Sequence, residues 1–435
     1  MTEKEKNGKI KTIKQFRIQT KGDPLLEHLI GNAAVGQSGG PTAAINASLA
    51  GVLRGVRDHA ETVPKIYGMK NGIDGLLAGD LTDLTPLSRD GARLSLLETT
   101  PASALGSCRT RLPAPDSDDG TLARAVDVFR KYDIRYFFYI GGNDSMDTVA
   151  KLSAYTETVG YEMRVFGVPK TIDNDLALTD HTPGYGSAAK YVANTVAELV
   201  RDCAVYTVPA VTIVEIMGRD AGWLAASAGI GRYIGSGAPD AVYLPERAFS
   251  LDSFDRDLKE AFARHPNVVV AVSEGIRYRD GRYVCEGLFS EQKDRFGHVI
   301  LTGAAAALKE HVKETFRCKA RAIELSTVQR CAAHIASLTD IREASDIAAF
   351  AVGRAVCGES GRTAVFRRLS DDPYRVVFGS APVSEIANKV KHVPDEFITP
   401  EGNYVTSAFA AYLLPLIRGE TNPVYENGVV KHFIL

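Results

Sequence analysis

The sequence contains little that would mark a metal-stapled, membrane-bound or nucleic-acid-binding protein. Its 6 cysteines are scattered with no C-x-x-C pair, which argues against a zinc site and against a disulfide framework. No apolar run is long enough to span a bilayer. The formal net charge is only -2, so neither a nucleic-acid face nor an acidic ligand trap is indicated. The motif G-x-x-x-x-G-K-[ST] is missing as well, which excludes a Walker-type nucleotide loop.

The remaining composition is that of an ordinary globular protein. At 435 residues, 45% of them hydrophobic, the chain is long enough for two domains or three. Residues 1–27 are rich in lysine but lack the apolar stretch of a signal peptide, and we expect a solvated extension there. The sequence therefore predicts a cytoplasmic protein with neither a membrane nor a nucleic acid as partner.

Short apolar runs, each ending in a polar loop that often contains glycine, recur from about Asn32 onwards. Many of these loops are followed by a helical pattern, and strands that alternate with helices are typical of parallel sheets covered on both faces. Ligands bind such sheets beyond the carboxyl ends of the strands. The predicted strands are Asn32–Val35, Arg135–Ile140, Arg164–Val168, Val211–Ile216 and Val268–Val272, and the first two lead into predicted helices at Thr42–Arg57 and Ser145–Thr156.

The first two strand-to-helix loops have the composition of anion sites. In the first loop, Gly39 and Gly40 precede a helix, so that backbone N–H groups and the helix dipole can face an anion. A simple tight turn is the alternative. The second loop, Gly141–Ser145, adds the carboxylate of Asp144, which is unfavourable beside an anion unless a metal intervenes or the acid excludes something. A helix cap is an equally good explanation of Asp144.

The segment Pro169–Asp175 is the most informative one in the chain. It places Asp173 and Asp175 two residues apart, with Lys170 close by, directly after an apolar strand. One carboxylate can accept a hydroxyl proton, the other can hold a metal, and the lysine can offset charge on a transferring group. The combination predicts phosphoryl transfer.

Three further polar residues follow apolar runs or glycine. Arg219, in Met217-Gly218-Arg219, and Arg109 could each bind a phosphate through two guanidinium N–H groups, although a lone arginine is more often a surface charge. Glu274 could accept hydrogen bonds from sugar hydroxyls or cap a helix. Residue chemistry thus indicates a phosphorylated small molecule and a metal, and it does not name the substrate.

From about Gly36 to about Arg330 the motifs resemble the phosphofructokinase family. Gly39-Gly40-Pro41 resembles the family's phosphate-donor loop, and Thr171–Asp175 is similar to its most characteristic motif, in which the first aspartate is the general base. Met217-Gly218-Arg219 is similar to the arginine motif that contacts substrate and transition state. The resemblance further implies that Glu274 contacts the sugar, that Arg321, Gln329 and Arg330 hold its 6-phosphate, and that Arg109 holds the donor phosphate.

The resemblance implies an α/β fold of two three-layer α/β/α domains with mainly parallel sheets and the active site in the cleft between them. The larger domain would comprise residues 28–187 with part of 331–360, and the smaller one residues 188–330. Residues 361–435 would pack on both. In tetrameric family members the counterpart of Arg321 arrives from a neighbouring subunit, which implies a homodimer or homotetramer.

Two positions imply which donor is used. Members of the family that use ATP carry glycine where Asp144 and Lys170 stand, whereas this pair is typical of members that use pyrophosphate. The resemblance therefore implies reversible transfer from pyrophosphate to the 1-hydroxyl of fructose 6-phosphate, with Mg²⁺ as cofactor. The alternatives are an ATP-dependent enzyme of the family and a non-catalytic regulatory subunit.

Three positions depart from the family's pattern. Asn143 replaces a metal-binding aspartate, so that magnesium would be held by Asn143, Asp144 or Asp175, or through water. Ala210 and Thr327 replace an arginine and a histidine of the sugar-phosphate site. Sedoheptulose 7-phosphate is therefore a conceivable second acceptor.

Overall fold

A computed structural model describes residues 29–117, 119–286 and 303–435. The extension predicted at residues 1–27 lies outside the described residues. Within the described ranges, no helix is both long enough and apolar enough to cross a bilayer.

The strands and helices alternate along most of the chain, as the apolar runs predict. The strands are β1 Asn32–Gln37, β2 Ile66–Met69, β3 Leu81–Asp83, β4 Ile134–Gly141, β5 Arg164–Pro169, β6 Ala210–Ile216, β7 Ala241–Tyr243, β8 Asn267–Ser273, β9 Lys319–Glu324, β10 Arg362–Asp371, β11 Tyr374–Pro382, β12 Tyr425–Glu426 and β13 Val429–Val430. The helices are α1 Ile45–Asp58, α2 Ile73–Ala78, α3 Thr85–Ser88, α4 Gly91–Glu98, α5 Thr121–Lys131, α6 Asn143–Thr158, α7 Tyr185–Cys203, α8 Trp223–Ser227, α9 Leu251–Phe262, α10 Ala304–Phe316, α11 Val328–Cys331, α12 Leu338–Val356 and α13 Ser407–Leu413.

The strands form two large sheets. The larger has the order β11-β10-β5-β4-β1-β2-β3, in which only β3 and β11 run antiparallel to their neighbours. The smaller has the order β7-β8-β6-β9 and is parallel throughout. The predicted α/β class with mainly parallel sheets is confirmed.

Both faces of the larger sheet are buried. Phe137 and Phe138 are neighbours on β4 and point to opposite faces, into two separate hydrophobic clusters. Helices α1 and α12 cover the face of Phe138, while α5 and α6 cover the face of Phe137. Apolar side chains on both faces explain why these strands read as continuous hydrophobic runs and not as alternating ones.

The C-terminal part of the chain contacts both sheets. Strands β10 and β11 extend the larger sheet beyond β5. Further on, Ile398, Tyr404 and Phe409 belong to the hydrophobic cluster that packs on one face of the smaller sheet together with α7 and α8. The larger sheet is consequently built from two distant stretches of sequence.

The predicted starts of two helices are wrong. Helix α6 begins at Asn143 and not at Ser145, so that Asn143 and Asp144 lie in its first turn and not in a loop. Helix α1 begins at Ile45 and not at Thr42, because Thr42 accepts the Ala44 N–H through its hydroxyl in the turn before the helix. The loop before α6 is therefore shorter than predicted, and the loop before α1 is longer.

Candidate active site

The carboxyl ends of β1, β4, β5, β6 and β8 face one cavity of about 460 Å³ between the two sheets. Open parallel sheets place ligands at this position. Most of the predicted site residues line the cavity: Gly39, Gly40, Arg109, Asn143, Asp144, Lys170, Thr171, Asp173, Asp175, Met217, Arg219, Glu274 and Arg330.

The loop after β1 is held in place by Lys170. The Lys170 ammonium group donates to the carbonyl oxygens of Ser38 at 2.9 Å and Gly40 at 2.7 Å. The Ser107 hydroxyl donates to the third carbonyl, that of Gly39, at 2.7 Å. With its carbonyl oxygens engaged in this way, the loop can present its N–H groups to an anion in the cavity.

Lys170 itself is fully buried, with 2% of its surface exposed. Burial lowers its pKa to about 8, and the positive charges of Arg330 and Arg109 act in the same direction. The carboxylates of Asp173 and Asp175 oppose this effect. At neutral pH the group is therefore mostly charged but is poorly solvated, so an anionic ligand beside it is favoured.

Asp144 is paired with an arginine that the sequence prediction missed. In the first turn of α6, Asp144 accepts a hydrogen bond from Arg111 at 3.0 Å, and both side chains are partly exposed. Arg111 offsets the charge of Asp144, so this carboxylate does not by itself exclude an anion from the cavity. Arg111 stands two residues after Arg109, and this spacing could have predicted that both arginines lie near the same site.

Thr171 and Asp173 form a compact turn at the end of β5. The Thr171 hydroxyl accepts the Asp173 N–H at 3.1 Å and lies 3.3 Å from its carboxylate. Burial raises the pKa of Asp173, while the hydrogen bond from Thr171 and the charge of Lys170 act against the rise. A carboxylate whose pKa is moved toward neutrality is a better proton acceptor.

Asp175 and Asn143 form an oxygen-rich corner of the cavity. Asn143 donates to Asp175 at 3.2 Å, and the buried amide oxygen of Asn143 has no hydrogen-bond partner. Burial and the charge of Asp173 raise the pKa of Asp175. Desolvated carboxylates and an unpaired amide oxygen are stabilised by a hard cation.

This corner fits Mg²⁺ better than a metal that needs a complete protein cage. Among the described residues there is no group of three or more histidine, cysteine or acidic side chains that could hold a metal. Mg²⁺ needs only one or two carboxylates, because it keeps waters and binds substrate phosphates as well. Asn143 and Asp175 can supply the protein's share.

The loop after β6 carries Arg219 into the cavity from the other sheet. Gly218 has φ +143° and an added Cβ would lie 2.6 Å from the Ala221 carbonyl, so only glycine fits there. The buried Nε of Arg219 has no partner within the protein, which leaves a donor for a bound anion. Beside it, burial raises the pKa of Glu274 to about 8, and Glu274 accepts the Gly218 N–H at 3.3 Å.

Three predicted residues do not line the cavity. Gln329 is buried, accepts the Met217 N–H at 3.3 Å and donates to the Ser326 carbonyl at 2.8 Å, so its amide holds the loop after β6 in place. Gly218 shapes the same loop through its backbone. Arg321 is exposed on the edge strand β9.

Arg330 lies in the cavity beside the loop after β1, residues 38–41, which we call the donor loop after the predicted role of its glycines. An added Cβ on Gly40 would be 3.2 Å from its guanidinium, and the charge of Arg109 is close enough to lower the pKa of Arg330 together with burial. Its predicted contact with a sugar phosphate stays a prediction.

Sequence reasoning also missed a contribution from the C-terminal part of the chain. Asn388 and Val390 line the cavity, although they follow no apolar strand and belong to no glycine-rich loop. No local signal was available, because their position depends on the path of the chain after β11.

A buried lysine and several arginines around closely spaced carboxylates, at the strand ends of two parallel sheets, define a phosphoryl-transfer enzyme. The comparisons agree, since the phosphofructokinase family profile matches residues 32–354. The chain belongs to the phosphofructokinase family.

Individual relatives cover nearly the whole chain. It is 39% identical to the pyrophosphate--fructose 6-phosphate 1-phosphotransferase of Halomonas elongata over 92% of this chain and 95% of the relative. It is 40% identical to the protein of the same name from Methylococcus capsulatus, over 93% and 96% of the two chains. The crystal structure of a pyrophosphate-dependent phosphofructokinase from Nitrosospira multiformis superposes with a TM-score of 0.83 at 36% identity, covering 93% of this chain and 96% of that one. The predicted phosphofructokinase-like fold is confirmed.

Proposed function

We propose that this chain transfers a phosphoryl group from pyrophosphate to the 1-hydroxyl of fructose 6-phosphate, giving fructose 1,6-bisphosphate and phosphate, reversibly, in glycolysis and gluconeogenesis. The observation that carries the proposal is that protein side chains fill the part of the cavity next to the loop after β1, where a nucleotide would need space. The Lys170 ammonium group bridges Ser38 and Gly40, and Asp144 with Arg111 stands at the start of α6. A short, compact anion fits this arrangement better than a nucleotide does.

The first step of the proposed reaction is the removal of a proton by Asp173. Its raised pKa and its turn with Thr171 suit it to take the proton of the 1-hydroxyl as the oxygen attacks the donor. Lys170 and Arg109 approach the transferring group from the larger sheet, and Arg219 approaches it from the smaller one. Fixed positive charge and alignment supply most of the acceleration in such a loose transition state.

Mg²⁺ completes the proposed site. When bound, it would neutralise charge on the pyrophosphate oxygens. Asp175 and the amide oxygen of Asn143 would hold it, because the carboxylate is desolvated and the amide oxygen has no partner in the protein. Asp144 and water would be further ligands.

The sugar would bind on the side of the smaller sheet. Glu274, Met217 and Arg219 line that side of the cavity, and Gln329 supports their loop from behind. Arg330 reaches in from α11. Arg321 faces outward on an edge strand, a position from which it would serve the site of a second copy, so the proposal includes a homodimer or homotetramer. The proposal places this enzyme in the cytoplasm.

The deciding experiment measures fructose 1,6-bisphosphate with Mg²⁺ and either pyrophosphate or ATP as the sole donor. Turnover with pyrophosphate alone is the expected result. Turnover with ATP alone would keep the family and overturn the donor assignment. If neither donor supports turnover, the assay is repeated with sedoheptulose 7-phosphate as acceptor. Absence of turnover with both acceptors would favour a non-catalytic regulatory subunit.

A further inference from the structure

The two loops that carry the proposed chemistry belong to different sheets. We call residues 171–176 the aspartate loop and residues 217–222 the arginine loop. The first follows β5 of the larger sheet, and the second follows β6 of the smaller one. In the part of the chain that the structure describes, no hydrogen bond joins the two loops directly. Ile172 and Ala221 of the two loops belong to one hydrophobic cluster, and the hydrogen bonds that connect the loops run through another segment.

Residues 390–393, here called the bridging segment, contact both loops. On one side, Val390 pairs with Leu176 in an antiparallel bridge, and the Lys391 N–H donates to the Asp175 carbonyl at 2.7 Å. These backbone bonds attach the segment to the aspartate loop.

On its other side, the bridging segment is attached to the arginine loop. The indole N–H of Trp223, the residue that follows this loop, donates to the Lys391 carbonyl at 2.9 Å. The His392 ring nitrogen Nδ1 donates to the Asp220 carbonyl at 2.9 Å. The Val393 N–H and the Gly222 N–H share one carboxylate oxygen, Oε1 of Glu246, each at 2.9 Å.

The side chain of Lys391 adds a second attachment to the aspartate loop. Its ammonium group donates to the Asp180 carbonyl at 2.8 Å, to the Thr179 carbonyl at 3.0 Å and to the side-chain oxygen of Asn174 at 3.4 Å. An ammonium group has three hydrogens, and all three have an acceptor here. The same group lies 5.0 Å from the centre of the Trp223 ring, within cation–π range.

Asn174 is the residue through which this attachment reaches the carboxylates. It stands between Asp173 and Asp175, is fully buried and has φ +53°. Its amide N–H₂ donates to the Tyr412 hydroxyl at 2.8 Å, while its oxygen accepts from Lys391. Because both ends of the amide are held by C-terminal residues, the backbone on either side of it is held as well.

We propose that the bridging segment couples the aspartate loop to the arginine loop, and that Lys391 is a positioning residue which sets the proposed base against Arg219. The inference rests on the proposed function, because it assigns that geometry a role in the transfer step. Lys391 does not line the cavity. It acts through Asn174 and Asp175.

The test is Lys391→Met, which keeps most of the side-chain volume and removes the charge, compared with Lys389→Met on the exposed lysine two residues earlier. Misplacement of the base by a fraction of an ångström should lower kcat with pyrophosphate about 10- to 100-fold while both Michaelis constants stay close to those of the wild type. Lys389→Met should behave as the wild type. A folded Lys391→Met enzyme with normal kcat would overturn the proposal.

A second readout does not depend on turnover. The chain has 1 tryptophan, and it is the one bonded to the bridging segment. Addition of Mg²⁺ and pyrophosphate should change the emission of Trp223 in the wild type and change it much less in Lys391→Met. Equal responses would refute the coupling even if the wild type turned over no pyrophosphate, an outcome that would refute the proposed function separately.

A second variant covers the case in which Lys391→Met does not fold. Trp223→Phe keeps an aromatic ring in the core and removes the indole N–H bond to the Lys391 carbonyl. It should lower kcat in the same direction, without raising the Michaelis constant for pyrophosphate. A raised Michaelis constant with unchanged kcat would show that the segment serves binding alone and would overturn the positioning role.

Discussion

Replacement of Lys170 by methionine tests the donor side of the site most directly. The change removes two hydrogen bonds from a charged donor, to Ser38 at 2.9 Å and to Gly40 at 2.7 Å. Those two bonds stabilise the fold of the loop, whereas the effect on catalysis comes from loss of a preorganised positive charge beside the transferring group. Removal of one such stabilising group costs about 2.7–4 kcal/mol of transition-state stabilisation, which corresponds to a decrease of about 10²- to 10³-fold in kcat/KM for pyrophosphate.

The assay follows fructose 1,6-bisphosphate at varied pyrophosphate and at varied fructose 6-phosphate. The Michaelis constant for the sugar phosphate should change little, because Lys170 contacts the donor loop and not the smaller sheet. The matched control is Lys190→Met: Lys190 is also a buried lysine that donates to backbone carbonyls, at Ala336 and Gly419, but it lies outside the cavity. Both variants should have a lower free energy of unfolding than the wild type, and only Lys170→Met should show a selective decrease in kcat/KM for pyrophosphate.

The pKa of Lys170 adds a pH signature to this prediction. Burial lowers that pKa to about 8, so the charged form is lost as the pH rises through this value. The kcat/KM for pyrophosphate reports the free enzyme and should fall above about pH 8 in the wild type. In Lys170→Met, kcat/KM for pyrophosphate should show no decrease above about pH 8 that is due to residue 170. A variant that retains near-normal kcat/KM for pyrophosphate would refute the assignment of the donor site.

Three further predictions concern the carboxylates. Asp173→Ser should lower kcat about 10²- to 10⁴-fold, as expected for loss of a general base, with substrate binding by calorimetry largely intact; near-normal turnover would remove Asp173 as the base. Asp144→Gly combined with Lys170→Gly should weaken use of pyrophosphate and admit ATP, and a double variant without ATP turnover would contradict the exclusion argument. Burial and the charge of Asp173 raise the pKa of Asp175, the proposed Mg²⁺ ligand, so protons compete with the metal at low pH. Mg²⁺ affinity measured by calorimetry should therefore increase with pH, with protons released on binding; a pH-independent affinity would place the metal elsewhere.

The strands and the residues at their carboxyl ends could be predicted from the sequence because both depend on local pattern. Apolar runs that precede Gly39, Lys170 and Arg219 by a few residues indicate parallel strands, and parallel strand ends meet at one edge of a sheet. The resemblance to the phosphofructokinase family then named the chemistry. Side chains in these loops therefore line the cavity as expected.

The features that were missed depend on long-range contacts. Lys391 and Asn388 follow β11, in a stretch with no periodic pattern, and only the folded chain brings Lys391 to partners 168 to 217 residues earlier. Gln329 is a related case: the family resemblance implies a ligand contact, and the structure shows that its amide also bonds within the protein, to Met217 and Ser326. Burial and pairing of that kind cannot be read from a motif.

The strand order of the larger sheet has a consequence for synthesis of the chain. Strand β5, which ends at the proposed catalytic loop, is an edge strand until β10 pairs with it, and β10 begins only at Arg362. During translation the half of the molecule that contains the donor loop therefore keeps an apolar, unpaired sheet edge while the whole smaller sheet emerges from the ribosome. The larger sheet can therefore be completed only after nearly the whole polypeptide has been made. A nascent chain that lacks β10 and β11 exposes the edge of β5, where a strand of another chain could pair.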